Sequence, residues 1–151
     1  MVRKAALILS LFAYSASAQN DDKPWFLQEP WLSENAPNGI DITSDGTAWI
    51  VMGTDTENSV HTMRAEDYLL RVENYPKVWI RQWHGRSKKV AHRETKRQVR
   101  FDCKNQTYDE FYSVAYNASG EVAWTDNRSE SVPVIPGSMS ELWARFACRP
   151  K

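Results

Sequence analysis

The sequence predicts an α+β domain in which a single antiparallel sheet of about six strands carries one C-terminal helix on one face. Three observations predict it. Short segments of alternating apolar and polar residues follow one another between turn dipeptides, which is typical of strands joined by hairpins. One strongly amphipathic segment near the C-terminus has helical spacing. Two cysteines end a strand-like segment and that helix, so a disulfide would tie the helix to the sheet.

Residues 1–18 are predicted to be a signal peptide. Two basic residues precede an apolar segment at 5–14, and a small-x-small cleavage site ends at Ala18. The apolar segment is too short to span a bilayer, which needs ~20 residues; the alternatives are an uncleaved anchor or a buried helix. Because no lipid-anchor cysteine follows the cleavage site, we expect an exported chain that is periplasmic or secreted, with surface association left open.

Residues 19–46 are predicted to be an extended leader, and residues 47–151 the domain itself. Three prolines argue against a helix in the leader. Between them stand four large apolar side chains, which either pack back on the domain or contact a partner: Trp25, Phe26, Trp31 and Leu32.

The strand-like segments follow one another along the domain and lie at 49–52, 59–63, 69–73, 77–83, 98–103, 108–117 and 121–125. We group them as about six strands in hairpin order, with 69–73 and 77–83 forming one hairpin. The short connections favour an antiparallel sheet. One helical or irregular turn is expected at 64–67, and residues 132–135 are expected to be an apolar linker.

The C-terminal helix is predicted over residues 138–148. Ser138 followed three residues later by Glu141 is a capping box, in which the hydroxyl accepts from an early helical N–H and the carboxylate reaches back to the cap. Cys148 closes the last turn. Four apolar side chains fall on one stripe: Met139, Leu142, Trp143 and Phe146.

Cys103 and Cys148 are predicted to pair. An even pair in a chain bound for an oxidising compartment forms a bridge by default. This bridge would close a loop of about 45 residues and contribute roughly 4 kcal/mol on the chain-entropy model. Cys103 shares its strand face with Val99 and Phe101, so the helix stripe is expected to cover that face.

A polar stretch at 84–97 contains the candidate binding residues. Clustered Lys and Arg can meet phosphate, sulfate or carboxylate groups with charge-assisted hydrogen bonds. The alternatives are a solvated hairpin tip and charges that protect an edge strand from aggregation. The candidate residues are Arg86, Lys88, Lys89, Arg93, Lys96 and Arg97.

The chain carries no recognisable catalytic, metal or cofactor motif. It lacks a nucleophile elbow, a phosphate loop and a dinucleotide fingerprint. His61, His84 and His92 lack a metal-ligand spacing, and the bridge leaves neither cysteine free as a nucleophile or ligand. We therefore expect no catalytic residue, no metal and no cofactor.

The balanced composition predicts no attraction of the whole molecule to nucleic acid or to an anionic surface. Nineteen Lys and Arg balance nineteen Asp and Glu, and loss of the signal peptide leaves a slightly acidic chain, so nucleic acid is not a predicted partner. Seven Trp and six Tyr are many for this length. We assign them to the core and to cross-strand pairs before a ligand platform.

A strand with a Trp follows a proline turn at 75–79, and a polar stretch leads into a strand that ends in Asp102-Cys103. A Tyr-rich strand turns through Gly120, and Pro136-Gly137-Ser138 opens an amphipathic helix with its own cysteine. With these features in this order, residues 47–148 resemble the surface-adhesin protein E-like domain family of bacteria.

The resemblance implies an exported bacterial protein whose C-terminal helix is tied to an antiparallel sheet by a disulfide. Named members are adhesins that bind host matrix and plasma proteins, and the family has no catalytic residues to carry over. The adhesin that names the family is a lipoprotein, and its lipid-bearing cysteine is absent here, which puts display on the cell surface in doubt.

Three functions remain as hypotheses. The first is a non-enzymatic, adhesin-like binding domain for extracellular-matrix proteins, plasma proteins or anionic envelope glycans. The alternative is a periplasmic or envelope accessory or structural protein without a host ligand, acting through an edge strand or a homodimer. An enzyme is the third, and it would need a site assembled from residues far apart in sequence.

Overall fold

The computed structural model describes residues 38–85, 89–127 and 129–148. Within them lie eight strands and two helices, in the order β1 (Ile40–Ile42), β2 (Ala48–Thr54), β3 (Val60–Arg64), α1 (Ala65–Leu70), β4 (Lys77–Trp83), β5 (Glu94–Asp102), β6 (Thr107–Tyr116), β7 (Val122–Asp126), β8 (Glu130–Pro133) and α2 (Met139–Ala147). The predicted signal peptide lies outside the described residues, and β1 falls near the end of the predicted leader. Neither described helix has the length and apolar character needed to cross a bilayer.

All eight strands belong to one antiparallel sheet. β1 to β7 pair in sequence order, each with its neighbour, as expected for strands joined by short connections. β6 is the longest strand, and two strands share its outer side. β7 pairs with the second half of β6, and β8 returns to pair with the first half.

α2 covers one face of the sheet. Its Trp143 and Ala147 are buried with core residues of four strands: Ile50, Met63, Val78, Ile80, Val99 and Phe101. Cys103 and Cys148 form the disulfide, with Cα atoms 5.5 Å apart, and hold the C-terminal end of α2 against the end of β5. The predicted disulfide and the predicted packing of the helix stripe are both confirmed.

The opposite face of the sheet is concave. The turn between β1 and β2 and the turn between β6 and β7 line a single groove on this face. In a flat sheet β2 and β6 would stand four strand spacings apart, roughly 19 Å. The sheet therefore curls away from α2, and the curl brings the two turns together.

The predicted strand count of about six is wrong, and the fold is mostly β. β1 and β8 were not expected as strands, and the apolar segment at 132–135, predicted as a linker, begins within β8. β5 begins at Glu94, four residues before the predicted start.

The predicted strand at 69–73 and its hairpin are also wrong, because α1 extends to Leu70 and residues 71–76 form no strand before β4. Ala65 and Tyr68 are both buried and lie three residues apart, which is helical spacing. The carboxylate of Asp67 accepts a hydrogen bond from the backbone N–H of Trp79 at 2.6 Å and so fixes α1 against β4. β4 pairs with β3 instead, and α1 is inserted between the two strands.

The predicted capping box forms only in part. Ser138 is the N-cap of α2, but its side chain makes no hydrogen bond to the helical N–H groups. Its hydroxyl instead lies 2.6 Å from the carbonyl oxygen of Ile135, to which it donates. Glu141 does reach back, and its carboxylate accepts from the backbone N–H of Gly137 at 2.8 Å.

Candidate binding groove

The predicted basic residues are divided between the two faces of the sheet. Arg86 and Lys88 lie outside the described residues. Lys96 and Arg97 are neighbours on β5, so their side chains point to opposite faces. Arg97 faces the α2 side, whereas Lys96 lines the concave groove together with Arg93.

Lys89 lies in the connection between β4 and β5, and it is well exposed. Its Nζ is 2.6 Å from Oε1 of Glu57, and 73% of its side-chain surface is accessible. An exposed pair of this kind contributes little to stability. The ammonium group thus remains accessible to a partner, and the contribution of Lys89 to binding stays a prediction.

Arg97 belongs to a polar network inside the α2 face. Its guanidinium donates to Oε1 of Gln82 at 2.9 Å, and its Nε lies 3.5 Å from Oε1 of Glu110. Burial lowers the pKa of Arg97, and Glu110 acts in the opposite direction. Removing this side chain would leave Glu110 without its partner, so Arg97 has a structural role whatever it binds.

His61 extends the network to α2. The indole N–H of Trp143 donates to Nδ1 of His61 at 3.1 Å, and Nε2 of His61 lies 3.0 Å from the carboxylate of Asp55. Gln82 donates to the same carboxylate at 3.2 Å. Desolvation lowers the pKa of His61, opposed by the hydrogen bond to Asp55. These contacts join α2, β3 and β4 and were not expected from the sequence.

The buried His84 and the half-buried His92 form a second polar group on this side. Nε2 of His84 is 2.9 Å from the hydroxyl of Thr95, and the ring packs edge-on against His92 with centroids 4.7 Å apart. Burial lowers the pKa of His84 to about 4. The ring of His92 in turn meets Trp124. Within the described ranges, no group of three or more His, Cys, Asp or Glu side chains is arranged to hold a metal ion.

The concave groove is an open recess with a volume of about 730 Å³. Its walls are the β1–β2 turn (residues 43–47) and the β6–β7 turn (residues 117–121), and its floor is the concave face of β4 to β6. The lining residues are Thr43, Ser44, Asp45, Trp83, Gly85, Arg93, Glu94, Lys96, Tyr116, Asn117, Ala118 and Gly120.

Three groove side chains stand in one row across the floor. Trp83, Glu94 and Tyr116 are directly paired positions on β4, β5 and β6. The two aromatic residues therefore flank the carboxylate at a separation of two strand spacings, roughly 9–10 Å between Cα atoms. Trp83 is 46% exposed. A Cβ on Gly85 would lie 2.9 Å from the Trp83 ring. Glycine at position 85 therefore leaves room for the ring in its observed position.

Glu94 and Lys96, two of the charged side chains that line the groove, pair with each other. Glu94 accepts from Nε of Arg81 at 2.8 Å, and its other oxygen is 3.2 Å from Nζ of Lys96. Arg81 also pairs with Asp41. Hydrogen bonds from Thr43 and Thr47 lower the pKa of Asp45 to about 2. Two acidic and two basic side chains thus line the groove, and their charges balance.

Aromatic rings lie under the cations of the concave face. Nζ of Lys96 is 5.3 Å from the ring centroid of Tyr116 and 5.8 Å from that of Trp49, which are cation–π distances. Trp49 is only 3% exposed, and its indole N–H has no hydrogen-bond acceptor among the described residues. The Nε of Arg64, its cross-strand neighbour, is a second buried donor with no acceptor in the described part of the chain.

The basic run predicted only two residues of this groove. The sequence analysis assigns the floor aromatics to the core and to cross-strand pairs. It places residues 43–46 in the leader and treats the turn at Gly120 only as a connection between strands. The alternation of Trp79, Arg81 and Trp83 along one strand was visible in the sequence. It places aromatic and basic side chains on one face, but only the curl of the sheet makes that face a groove.

Comparison with known proteins finds one matching family. A family model described as surface-adhesin protein E matches residues 49–149, two thirds of the chain. The matched region begins in β2 and contains the disulfide, the polar network and most of the groove. No curated protein and no solved structure matches the chain at a significant level.

Proposed function

Because the chain belongs to the surface-adhesin protein E family, we propose that it is an exported, adhesin-like domain that binds macromolecules and catalyses no reaction. The family match carries this proposal. The groove supports it, because an open recess with exposed aromatic and polar groups suits recognition of a large partner. The polar groups with shifted pKa values on the other face support it too, since they are engaged with one another and hold the fold together.

We propose that the partners are extracellular-matrix or plasma proteins, met by the concave groove and by the basic residues beside it. Arg93 and Lys96 line the groove. Lys89 lies, like Arg93, in the connection between β4 and β5. Arg86 and Lys88 belong to that connection in sequence. Arg97 is not one of the basic residues that we expect to contact the partner, because its side chain is held in the network on the α2 face.

The test is binding of the purified mature chain to immobilised matrix and plasma proteins. A variant with Lys89, Arg93 and Lys96 changed to Ala and Arg97 retained should bind at least about tenfold more weakly, since charged and aromatic contacts dominate such interfaces. Arg145→Ala is the matched control, because Arg145 is an exposed cation on α2, away from the groove. Binding that is unaltered in the triple variant would remove these residues from the site.

Location is tested separately by cell fractionation. A host-binding role requires that the mature chain leave the periplasm, so we expect it in the medium or at the cell surface. Complete retention in the periplasm would contradict a host partner and favour the accessory envelope role.

A further inference from the structure

We propose that the concave groove binds a neutral oligosaccharide, carried as the glycan of a glycoprotein partner. The inference rests on the proposed binding function and names the chemistry that the groove recognises. Its volume of about 730 Å³ lies within the ~300–1,000 Å³ typical of sites for small ligands. The groove is open along the surface, so it can take a stretch of a longer chain attached to a protein.

The row of Trp83, Glu94 and Tyr116 has the chemistry that a sugar ring requires. A pyranose has apolar C–H faces and a rim of hydroxyls, and exposed aromatic rings provide flat apolar surfaces for such faces. The carboxylate of Glu94 stands between the two rings and can accept hydrogen bonds from hydroxyls. Ion pairs with Arg81 and Lys96 hold this carboxylate in place.

The charge balance of the groove selects a neutral ligand. Asp45 and Glu94 offset Arg93 and Lys96, and each carboxylate already has partners within the protein. A sulfated or phosphorylated glycan would bring several negative charges to a lining with no net charge, and like charges facing each other are unfavourable. Hydroxyl and amide groups can meet both the donors and the acceptors of the lining without this penalty.

A buried donor beneath the groove favours an oxygen-rich ligand. Buried polar groups in proteins nearly always have a hydrogen-bond partner. The indole N–H of Trp49 lies under Lys96, has no acceptor among the described residues, and is nearly inaccessible. The hydroxyl groups of a sugar are acceptors of the kind that this donor lacks.

The experiment measures binding of the mature chain to immobilised glycoproteins before and after enzymatic removal of their glycans, and to free neutral oligosaccharides on an array. We expect deglycosylation to abolish binding and neutral glycans to compete. Trp83→Ala should weaken binding about tenfold or more, as expected for loss of an aromatic anchor. Glu94→Gln keeps the size of the side chain and should weaken binding several-fold, about three- to tenfold.

Trp124→Ala is the matched control. Trp124 is 39% exposed, close to the value for Trp83, but it lies on the α2 face against His92. The Trp124→Ala variant should bind with an affinity within about twofold of that of the unaltered chain, because surface substitutions outside an interface have little effect. Thermal unfolding of each variant shows whether it is folded. If Trp83→Ala does not fold, Glu94→Gln still tests the groove.

Three results would overturn the inference. Equal binding to native and deglycosylated protein would leave the binding function intact and show that the ligand is polypeptide. Preference for heparin over neutral glycans, with binding lost in moderate salt, would show an anionic ligand. If both groove variants fold and bind neutral glycans with the affinity of the unaltered chain, the binding site lies elsewhere. Failure of the folded chain to bind any glycoprotein, in either form, would instead contradict the proposed function itself.

Discussion

His61 joins the helix to the sheet through two ring nitrogens with opposite roles. Because the indole of Trp143 can only donate, Nδ1 of His61 must accept, and Nε2 therefore carries the proton that it shares with Asp55. The neutral ring is thus the form that satisfies both neighbours. A proton on Nδ1 would face the Trp143 N–H, so the geometry and the lowered pKa of His61 agree.

Trp143→Phe tests this bond at the scale of one residue. The change removes the indole N–H and leaves Nδ1 of a buried His61 without a donor, so we expect the free energy of unfolding to fall by about 1–3 kcal/mol. Urea unfolding measures it. Trp124→Phe is the control, and as a surface change it should stay within about 0.5 kcal/mol. Equal effects of the two changes would show that the bond to His61 contributes nothing specific.

Single residues of the polar network could not be found in the sequence because their partners are distant. Trp143 and His61 are 82 residues apart, and Gln82 stands 27 residues from Asp55. Nothing in the local pattern indicates that these polar side chains face inwards. The two cysteines are also distant from each other, but they were paired correctly because only one pairing of two cysteines exists.

At the scale of elements, α2 depends on more than its own sequence. It is nine residues long, and isolated helices shorter than about 12–15 residues are marginal in water. Its stability comes from burial of Trp143 and Ala147, from the bond to His61 and from the disulfide at its C-terminal end. The disulfide anchors one end of the helix, and His61 holds its middle.

Removal of the disulfide should release the end of α2. We expect Cys103→Ala with Cys148→Ala to lower the free energy of unfolding by about 2–5 kcal/mol. In this variant, backbone amides in the last turn of α2 should exchange hydrogen faster than those in β4 or β5. The bond between Trp143 and His61 remains, so the release is confined to the end of the helix. A melting temperature that is the same with and without reductant would contradict a stabilising bridge.

The elements that the sequence predicted well are those whose apolar residues recur at a regular strand or helix spacing. β4, β6 and α2 have this pattern, and their predicted positions are close to the observed ones. The first half of β5 was missed because it bears polar side chains on both faces. On one face Arg97 pairs with Glu110, and on the other Lys96 lies over aromatic rings. A search for alternation treats such residues as exposed and predicts a loop.

At the scale of the whole molecule, histidine protonation should control stability in mild acid. Burial is the largest cause that lowers the pKa values of His61, His84 and His92. The charged groups around His84 are His92, Arg97, His61 and Asp55, and only Asp55 favours its protonated form. The unfolded chain therefore takes up these protons first as pH falls, which favours unfolding.

We expect the free energy of unfolding to be constant above about pH 6.5 and to fall between about pH 6.5 and pH 4. His84 contributes over this whole window, because its pKa in the folded chain is about 4. With allowance for solvent screening, its share is roughly 2 kcal/mol. The pKa values of Asp45 and Asp55 are lowered from 3.8, and those of Glu121 and Glu141 from 4.5. These carboxylates therefore add their own loss of stability only as pH falls below about 4.5.

Urea unfolding at pH 7.5, 6.0, 5.0 and 4.5, a range chosen to cover the histidine window, measures this profile. His84→Gln should reduce the slope between pH 6.5 and 4, because it removes the group with the most strongly lowered pKa while keeping polar atoms beside Thr95. His92→Gln should reduce it less, since that ring is more exposed. A flat profile over this range in the unaltered chain would mean that the histidines titrate alike in the folded and unfolded states. The buried histidine contacts would then contribute nothing to pH-dependent stability.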